Sequence, residues 1–291
     1  MRGTRRRAVA LVMLGLGLPA CGLVLGIDDG TPRTDGGAIE GGAGDAASDN
    51  VAPEDAAEAA SPDAGVDVFV DPCAAPHGSV MVRVDGQFCI DRTEATNAQY
   101  TQFLASSPSV AAQSAECTWN TTFDPSTPIQ NGLPDVAVGY VNWCDAKAFC
   151  EWSGKTLCGS LTGAAAAAAS YADAQKSAWM YACSHAGDGT HPFPYGTTAD
   201  PSACNVNAAG RVQVASLPKC EGGYAGIFDM VGNVKEWENA CSPAADGGPS
   251  QDICRRRGGG FNTAVDTACD YDEADTRDYT YETTGIRCCK Y

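Results

Sequence analysis

The sequence is poor in positive charge, in histidine and in long hydrophobic runs. No apolar run reaches the roughly 20 residues that a membrane-spanning helix requires, which excludes a polytopic membrane protein. The 19 Lys and Arg residues are outnumbered by 36 Asp and Glu, and the formal net charge of −17 excludes a nucleic-acid-binding protein. The three histidines, His77, His185 and His191, do not have the spacing of zinc ligands.

Cysteine, in contrast, is abundant. The chain contains 15 cysteines, and all except Cys21 lie between Cys73 and Cys289. Thiols at this density are typical of proteins in an oxidising compartment, where disulfides form. Setting Cys21 aside leaves 14, an even number that could pair completely. We expect the adjacent Cys288 and Cys289 to take different partners, because a bridge between neighbours is strained.

The first 21 residues resemble a bacterial lipoprotein signal. Four arginines between positions 2 and 7 precede an apolar stretch over 8–18 that is too short to span a bilayer. Residues 18–21, Leu-Pro-Ala-Cys, are similar to the lipoprotein box, whose cysteine is acylated and becomes the mature N-terminus. We therefore expect a signal peptide over 1–20 and a lipid on Cys21 that anchors an extracytoplasmic protein to a membrane, such as the outer membrane or cell surface. The alternative is ordinary secretion with cleavage after Ala20.

The composition divides the remaining chain into two parts. Residues 21–71 consist mainly of Ala, Asp, Glu, Gly and Pro with one basic residue, Arg33, and predict a disordered acidic stalk. Residues 72–291 predict a single domain, irregular and of α+β class, that is pinned by disulfides. Its expected elements are a β-hairpin turning at Asp85-Gly86, a helix behind a capping box at 96–99, a helix over 142–153 and a third helix starting at Asp173 or Ser177.

Six segments of this domain resemble, in the same order, the motifs of one enzyme family. The chain is similar to the formylglycine-generating enzymes, also called sulfatase-modifying factors, whose fold is a variant of the C-type lectin fold. The match covers nearly the whole of 72–291. The segments are 88–100 (FCIDRTEATNAQY), 138–155 (VGYVNWCDAKAFCEWSGK), 193–196 (FPYG), 226–237 (GIFDMVGNVKEW), 257–261 (RGGGF) and 285–288 (GIRC).

The resemblance also implies a chemistry, which this sequence does not fully carry. Family enzymes oxidise a sulfatase cysteine to formylglycine with oxygen and with copper held by two cysteine thiolates. Thr263 stands at the position of the first of these cysteines, and a hydroxyl cannot replace a thiolate on copper(I). We therefore expect no copper and no catalytic residue, and a domain that binds a surface protein or glycan. The alternative is an active oxidase that uses a rearranged pair such as Cys269 with Cys289.

The family's disulfides and calcium site give further expectations. The resemblance implies bridges between Cys150 and Cys288 and between Cys183 and Cys269; local pairs such as Cys204 with Cys220 and Cys241 with Cys254 are plausible, but spacing does not fix them. The family's structural calcium site corresponds to Asp229, Gly232, Val234 and Glu236, the glycine and valine through their carbonyls. The alternative is that Asp229 and Glu236 merely cap a turn. Asn205 and Val206 match part of a second family calcium site.

Overall fold

The computed structural model describes residues 71–130 and 132–291. The predicted signal peptide, Cys21 and nearly all of the predicted stalk lie outside these residues. Within them, no helix combines the length and the apolar composition that crossing a bilayer requires.

The described residues form short strands, few helices and many turns. Three α-helices occur there: α1 (Asn97–Ala105), α2 (Trp143–Trp152) and α3 (Ala178–Cys183). Ten strands occur there: β1 (Met81–Val84), β2 (Phe88–Asp91), β3 (Thr156–Leu157), β4 (Glu221–Gly222), β5 (Tyr224–Phe228), β6 (Lys235–Ser242), β7 (Ile253–Arg257), β8 (Asp272–Thr276), β9 (Thr284–Gly285) and β10 (Cys288–Lys290). The predicted irregular α+β class is confirmed.

The predicted hairpin turn, capping box and third helix start are all present in the structure. Asp85 and Gly86 both have positive φ, 44° and 70°, as a tight hairpin turn between β1 and β2 requires. The Thr96 hydroxyl accepts the amide of Gln99 at 3.3 Å, while the Gln99 side chain accepts the amide of Thr96 at 3.0 Å, which closes the capping box of α1. The third helix begins after Ser177, whose side chain accepts the Met180 amide.

Two four-stranded sheets bring the two ends of the described chain together. The first has the order β1-β2-β10-β3, so the C-terminal strand lies between the opening hairpin and β3. The second has the order β8-β7-β6-β9, in which β6 and β9 are parallel. Buried aromatic side chains fill the core between these elements, with Trp143, Trp179 and Trp237 each no more than 2% exposed. Trp152 and Trp119 are partly buried against the cluster that contains Trp143 and Trp237.

Seven disulfides cross-link these elements and pair all 14 cysteines from Cys73 to Cys289. They include both bridges that the family resemblance implies and both of the local pairs named above, and Cys288 and Cys289 have different partners. The pairs are Cys73–Cys89, Cys117–Cys144, Cys150–Cys288, Cys158–Cys289, Cys183–Cys269, Cys204–Cys220 and Cys241–Cys254.

Candidate functional site

Three loops, over residues 205–208, 229–234 and 258–263, meet beside the start of β6. Their contact is made by backbone hydrogen bonds: the Gly232 amide donates to the Gly258 carbonyl at 2.9 Å, and the Asn207 amide donates to the Thr263 carbonyl at 2.8 Å. Backbone-to-backbone packing of this kind fixes loop positions without help from a regular sheet.

Glycine makes the close approach of these loops possible. A Cβ on Gly258 would lie 2.2 Å from the Met230 carbonyl oxygen, and one on Gly232 would lie 2.6 Å from the Asn205 carbonyl oxygen. Both glycines also have positive φ, 79° and 85°, which side chains with a Cβ rarely adopt. Only glycine therefore fits at these two positions.

Thr263 lies at the end of the glycine turn, where the family resemblance places the first copper-binding cysteine. Its side chain is buried, and its hydroxyl donates to the Gly260 carbonyl at 2.7 Å. The hydroxyl thus closes the turn over 260–263. It offers no thiolate, so the position cannot hold copper(I).

No cysteine of the described residues remains available as a thiolate, because each takes part in a disulfide. The pair on which the oxidase alternative depends is wrong: Cys269 is bonded to Cys183, and Cys289 is bonded to Cys158. The donor set of these residues therefore does not fit copper.

Three carboxylates are buried behind the loops around one guanidinium. Glu94 is completely buried and accepts hydrogen bonds from the Asn233 side-chain amide at 2.7 Å and from the Val234 amide at 2.9 Å. Glu236 accepts from the Arg287 Nε at 2.8 Å through one oxygen and from the Trp179 indole at 2.5 Å through the other.

Asp229 is the third carboxylate, and it lies at a sharp turn of the chain. Its φ is 59°, and its Oδ2 accepts the Ala215 amide at 2.6 Å. The arrangement agrees in part with the turn-capping alternative, since Asp229 binds a backbone amide. Glu236 instead pairs with Arg287.

The electrostatics of this cluster favour an additional positive charge. Burial raises the pKa of Glu236 to about 7, and burial raises the pKa of Asp229 as well. The pKa of Glu94 is raised well above its usual range, first by burial and then by the negative charges of Asp229 and Glu236. If all three carboxylates were ionised, their negative charge would exceed the positive charge of Arg287 and of Arg211, which also interacts with Glu94.

These residues fit calcium better than they fit copper. Carboxylate and carbonyl oxygens are the ligands that calcium takes, and among the described residues the buried Gly232 carbonyl accepts no hydrogen bond. Both oxygens of Glu236 already accept hydrogen bonds, so a cation here would share this carboxylate with Arg287. The Asn205 side-chain nitrogen donates to the Gly210 carbonyl and to Asn233 Oδ1, so only the Oδ1 of Asn205 could serve a cation.

Sequence reasoning overlooked Glu94 and Arg287, the two charges that connect the cluster to the opening hairpin and to the C-terminus. Glu94 lies in the family-like motif at 88–100 and Arg287 in the one at 285–288, and this position within the motifs was the sequence feature that pointed to them. Arg287 also donates to the Asp91 and Phe228 carbonyls, each at 2.7 Å, so each nitrogen of its guanidinium has a partner and these partners come from three separate segments.

Comparison with known proteins agrees with this geometry. The model of the sulfatase-modifying factor enzyme 1-like domain matches residues 36–291. The chain belongs to this family. The match begins inside the segment that composition marks as a stalk. No curated protein matches the chain significantly.

Three solved structures similar to this sulfatase-modifying factor domain are each less than 20% identical to it. CarF is 19% identical with a TM-score of 0.48, over 70% of this chain and 85% of its own. PvdO from Pseudomonas aeruginosa is 17% identical with a TM-score of 0.45, over 70% of this chain and 80% of its own. Treponema denticola variable protein 1 is 15% identical with a TM-score of 0.44, over 75% and 92%.

The sulfatase-modifying factor domain has the mixed, irregular α+β architecture that is consistent with the C-type lectin-like fold of its family. Its seven disulfides indicate an extracytoplasmic protein, because a reducing cytosol would not maintain them.

The structure also brings two of the three histidines together. His185 and His191 converge on Asp188, and ligand atoms of all three lie within 4.8 Å of one another. The linear spacing concealed this because His185 and Ala186 both have positive φ, 52° and 59°, and turn the loop back on itself. His77 is separate and stacks on Trp152 with ring centroids 4.3 Å apart.

Proposed function

We propose that this protein is a lipid-anchored extracytoplasmic protein whose sulfatase-modifying factor domain binds a surface protein or glycan and does not oxidise sulfatase cysteines. The observation that carries the proposal is the pairing of all 14 cysteines between Cys73 and Cys289, with the Thr263 hydroxyl at a copper-binding position. Copper-dependent oxidation needs two free thiolates, and the 14 cysteines of this domain are all paired in disulfides.

Two measurements test the absence of oxidase chemistry. Thiol titration of the unfolded, unreduced protein should find no reactive thiol between Cys73 and Cys289. Incubation with copper, oxygen and a peptide bearing the sulfatase cysteine motif should give no aldehyde mass shift, while a competent enzyme of the family serves as the positive control. Two reactive thiols per chain, or the aldehyde, would restore the oxidase alternative.

A surface patch beside the glycine turn supports a binding role. The patch, called the Tyr281 patch here, consists of Tyr140, Arg211, Tyr281 and Glu282. The Tyr281 side chain is 44% exposed, and Arg211 lies over the Tyr140 ring at 5.7 Å. Thr283, the next residue, packs directly on Gly260, so the patch borders the turn that ends at Thr263. Exposed aromatic faces with charged hydrogen-bonding groups are features of recognition surfaces.

Crosslinking in intact cells tests this patch. A photoreactive residue at position 281 should form adducts with a surface macromolecule, whereas one at the control position Val80, which is 76% exposed, should not. A crosslinked foreign peptide found by mass spectrometry of the digested adduct identifies a protein partner, and loss of the adduct on glycosidase treatment identifies a glycan. Equal adducts at both positions, or none at 281, would remove the patch from the proposal.

The lipid anchor rests on the sequence motif ending at Cys21 and is tested independently. Mass spectrometry of the mature N-terminal peptide should find an acylated cysteine, and Cys21→Ser should release the protein from the membrane fraction. An unmodified mature N-terminus at residue 21 would instead indicate ordinary secretion.

We also propose a structural calcium ion held by Asp229, the Gly232 and Val234 carbonyls and Glu236. The buried carboxyl oxygens and the Gly232 carbonyl, which accepts no hydrogen bond among the described residues, support it. A ligand that binds only the folded state at 100 times its Kd adds about 2.7 kcal/mol of stability, so calcium should raise the melting temperature. Asp229→Asn should abolish the shift, and an unchanged wild-type transition would rule the ion out.

A further inference from the structure

We propose that His185, Asp188 and His191 form a binding site for a divalent transition-metal ion, with zinc as the ion that the donor set fits. Two imidazoles and one carboxylate are ligands that zinc takes in proteins. Their ligand atoms already lie within 4.8 Å of one another. The site is remote in sequence from the loops at Gly232 and Gly258, and it does not depend on the function proposed above.

The distances within the cluster are close to those of a metal site. His185 Nδ1 lies 2.7 Å from one Asp188 oxygen, and His191 Nδ1 lies 3.9 Å from the other. Zinc bonds of about 2.0–2.2 Å in a tetrahedron place ligand atoms about 3.3–3.6 Å apart. Small rotations of the three side chains bring the present separations to that value.

Cross-links hold the loop that carries these side chains at both ends. Cys183, two residues before His185, is bonded to Cys269. The Cys269 amide donates at 2.8 Å to the carbonyl of Pro192, the residue after His191. Both ends of the loop are therefore fixed to one residue, which lowers the entropy lost when a metal orders the ligands.

The backbone of this loop adopts left-handed conformations that are uncommon in a loop that only connects two elements. Positive φ occurs at His185 and Ala186, which are not glycine, and again at Gly187 and Gly189. Residues with a Cβ adopt this region at a cost of about 1 kcal/mol or more, and such conformations cluster at binding sites. Here the result is that both imidazoles face one carboxylate.

Neighbouring groups orient the ligands as they do around metals. Thr190 Oγ1 lies 2.6 Å from an Asp188 oxygen and so orients this carboxylate, and the His185 ring packs on Tyr224 at 4.9 Å. The same hydroxyl lies 2.7 Å from His191 Nδ1, a contact that this nitrogen gives up when it binds the metal. The side chains of His185, Asp188 and His191 are 46%, 36% and 29% exposed, so a further coordination position is open to water or to a ligand. His191 also lines a cleft of about 650 Å³ that such a ligand can enter.

Zinc binding to the full chain, purified without a histidine tag and treated with a chelator, tests the site. Calorimetric titration at pH 7.5 should give one zinc per chain, and 1 mM calcium should not displace it. Affinity should fall at least tenfold at pH 5, where imidazoles are protonated and cannot ligate.

Matched variants locate the site among the three histidines. His185→Asn retains a residue that tolerates positive φ, and His191→Gln keeps a polar side chain. Each should weaken zinc binding at least tenfold while the melting temperature of the metal-free protein stays within a few degrees. His77→Ala, the control, should bind zinc like the wild type. Absence of zinc binding by the wild type, or equal binding by all three variants, would overturn the proposal.

Discussion

Two of the disulfides are predicted to stabilise the protein as a coupled pair. Cys150–Cys288 joins the end of α2 to β10, and Cys158–Cys289 joins the residue after β3 to the next position of the same strand. The two bridges close loops of 138 and 131 residues that are almost the same loop. Either bridge alone therefore keeps the ends of this loop together in the unfolded chain.

The loss of stability on removing each bridge depends on which loops the remaining disulfides keep closed. With Cys158–Cys289 intact, replacing Cys150 and Cys288 by alanine opens an effective loop of only about nine residues, which corresponds to about 2.6 kcal/mol of loop entropy. The same value applies when Cys158–Cys289 is removed alone. Removing both opens a further effective loop of about 45 residues, limited by Cys183–Cys269, for a total of about 6.6 kcal/mol.

The double removal should therefore cost about 1.4 kcal/mol more than the two single removals together. Equilibrium unfolding in urea under non-reducing conditions measures all four proteins of this cycle. Packing changes from the lost sulfur atoms enter the single and double variants alike and cancel in the comparison. Single removals that each cost about 5 kcal/mol, or strictly additive effects, would refute the view that the bridges share one loop.

Three further predictions concern the core. Burial raises the pKa of Asp145 from 3.8 to about 7, so the unfolded chain loses this proton first and wild-type stability should fall as pH rises from 4 to 7. Asp145→Asn should remove up to about 4 kcal/mol of this pH dependence. Gly258→Ala should cost about 2–4 kcal/mol, because its Cβ would collide with a carbonyl oxygen 2.2 Å away. Lys155→Met should cost about 3–5 kcal/mol by leaving Asp91 buried without its 2.5 Å partner.

Urea unfolding checks each of these predictions. For Asp145→Asn, an unchanged slope of stability between pH 4 and pH 7 would contradict the raised pKa. Gly226→Ala serves as the comparison for Gly258, since its Cβ would meet only a side chain at 3.5 Å. Lys147→Met removes an exposed ion pair with Glu151 and should cost less than about 1 kcal/mol; an equal loss from both lysine variants would contradict the role of burial.

The sequence was informative wherever the deciding interaction is local. The Asp85-Gly86 turn, the Thr96 capping box and the start of α3 at Ser177 each depend on residues within a few positions of one another. The ordered motifs also predicted the family and, through it, the fold, which the match over residues 36–291 confirmed. Thr263 alone indicated that the first copper ligand is missing.

The sequence by itself thus determined the fold class, the oxidising compartment and the missing thiolate. Only the tertiary structure decided the groupings that join distant segments: Glu94 with Asp229 and Arg287, and Cys158 with Cys289. It also decided the convergence of His185 and His191, which follows from left-handed backbone that their spacing does not reveal. The physical reason is that charge pairing, cross-linking and metal ligation act through space, whereas capping and turn signals act along the chain.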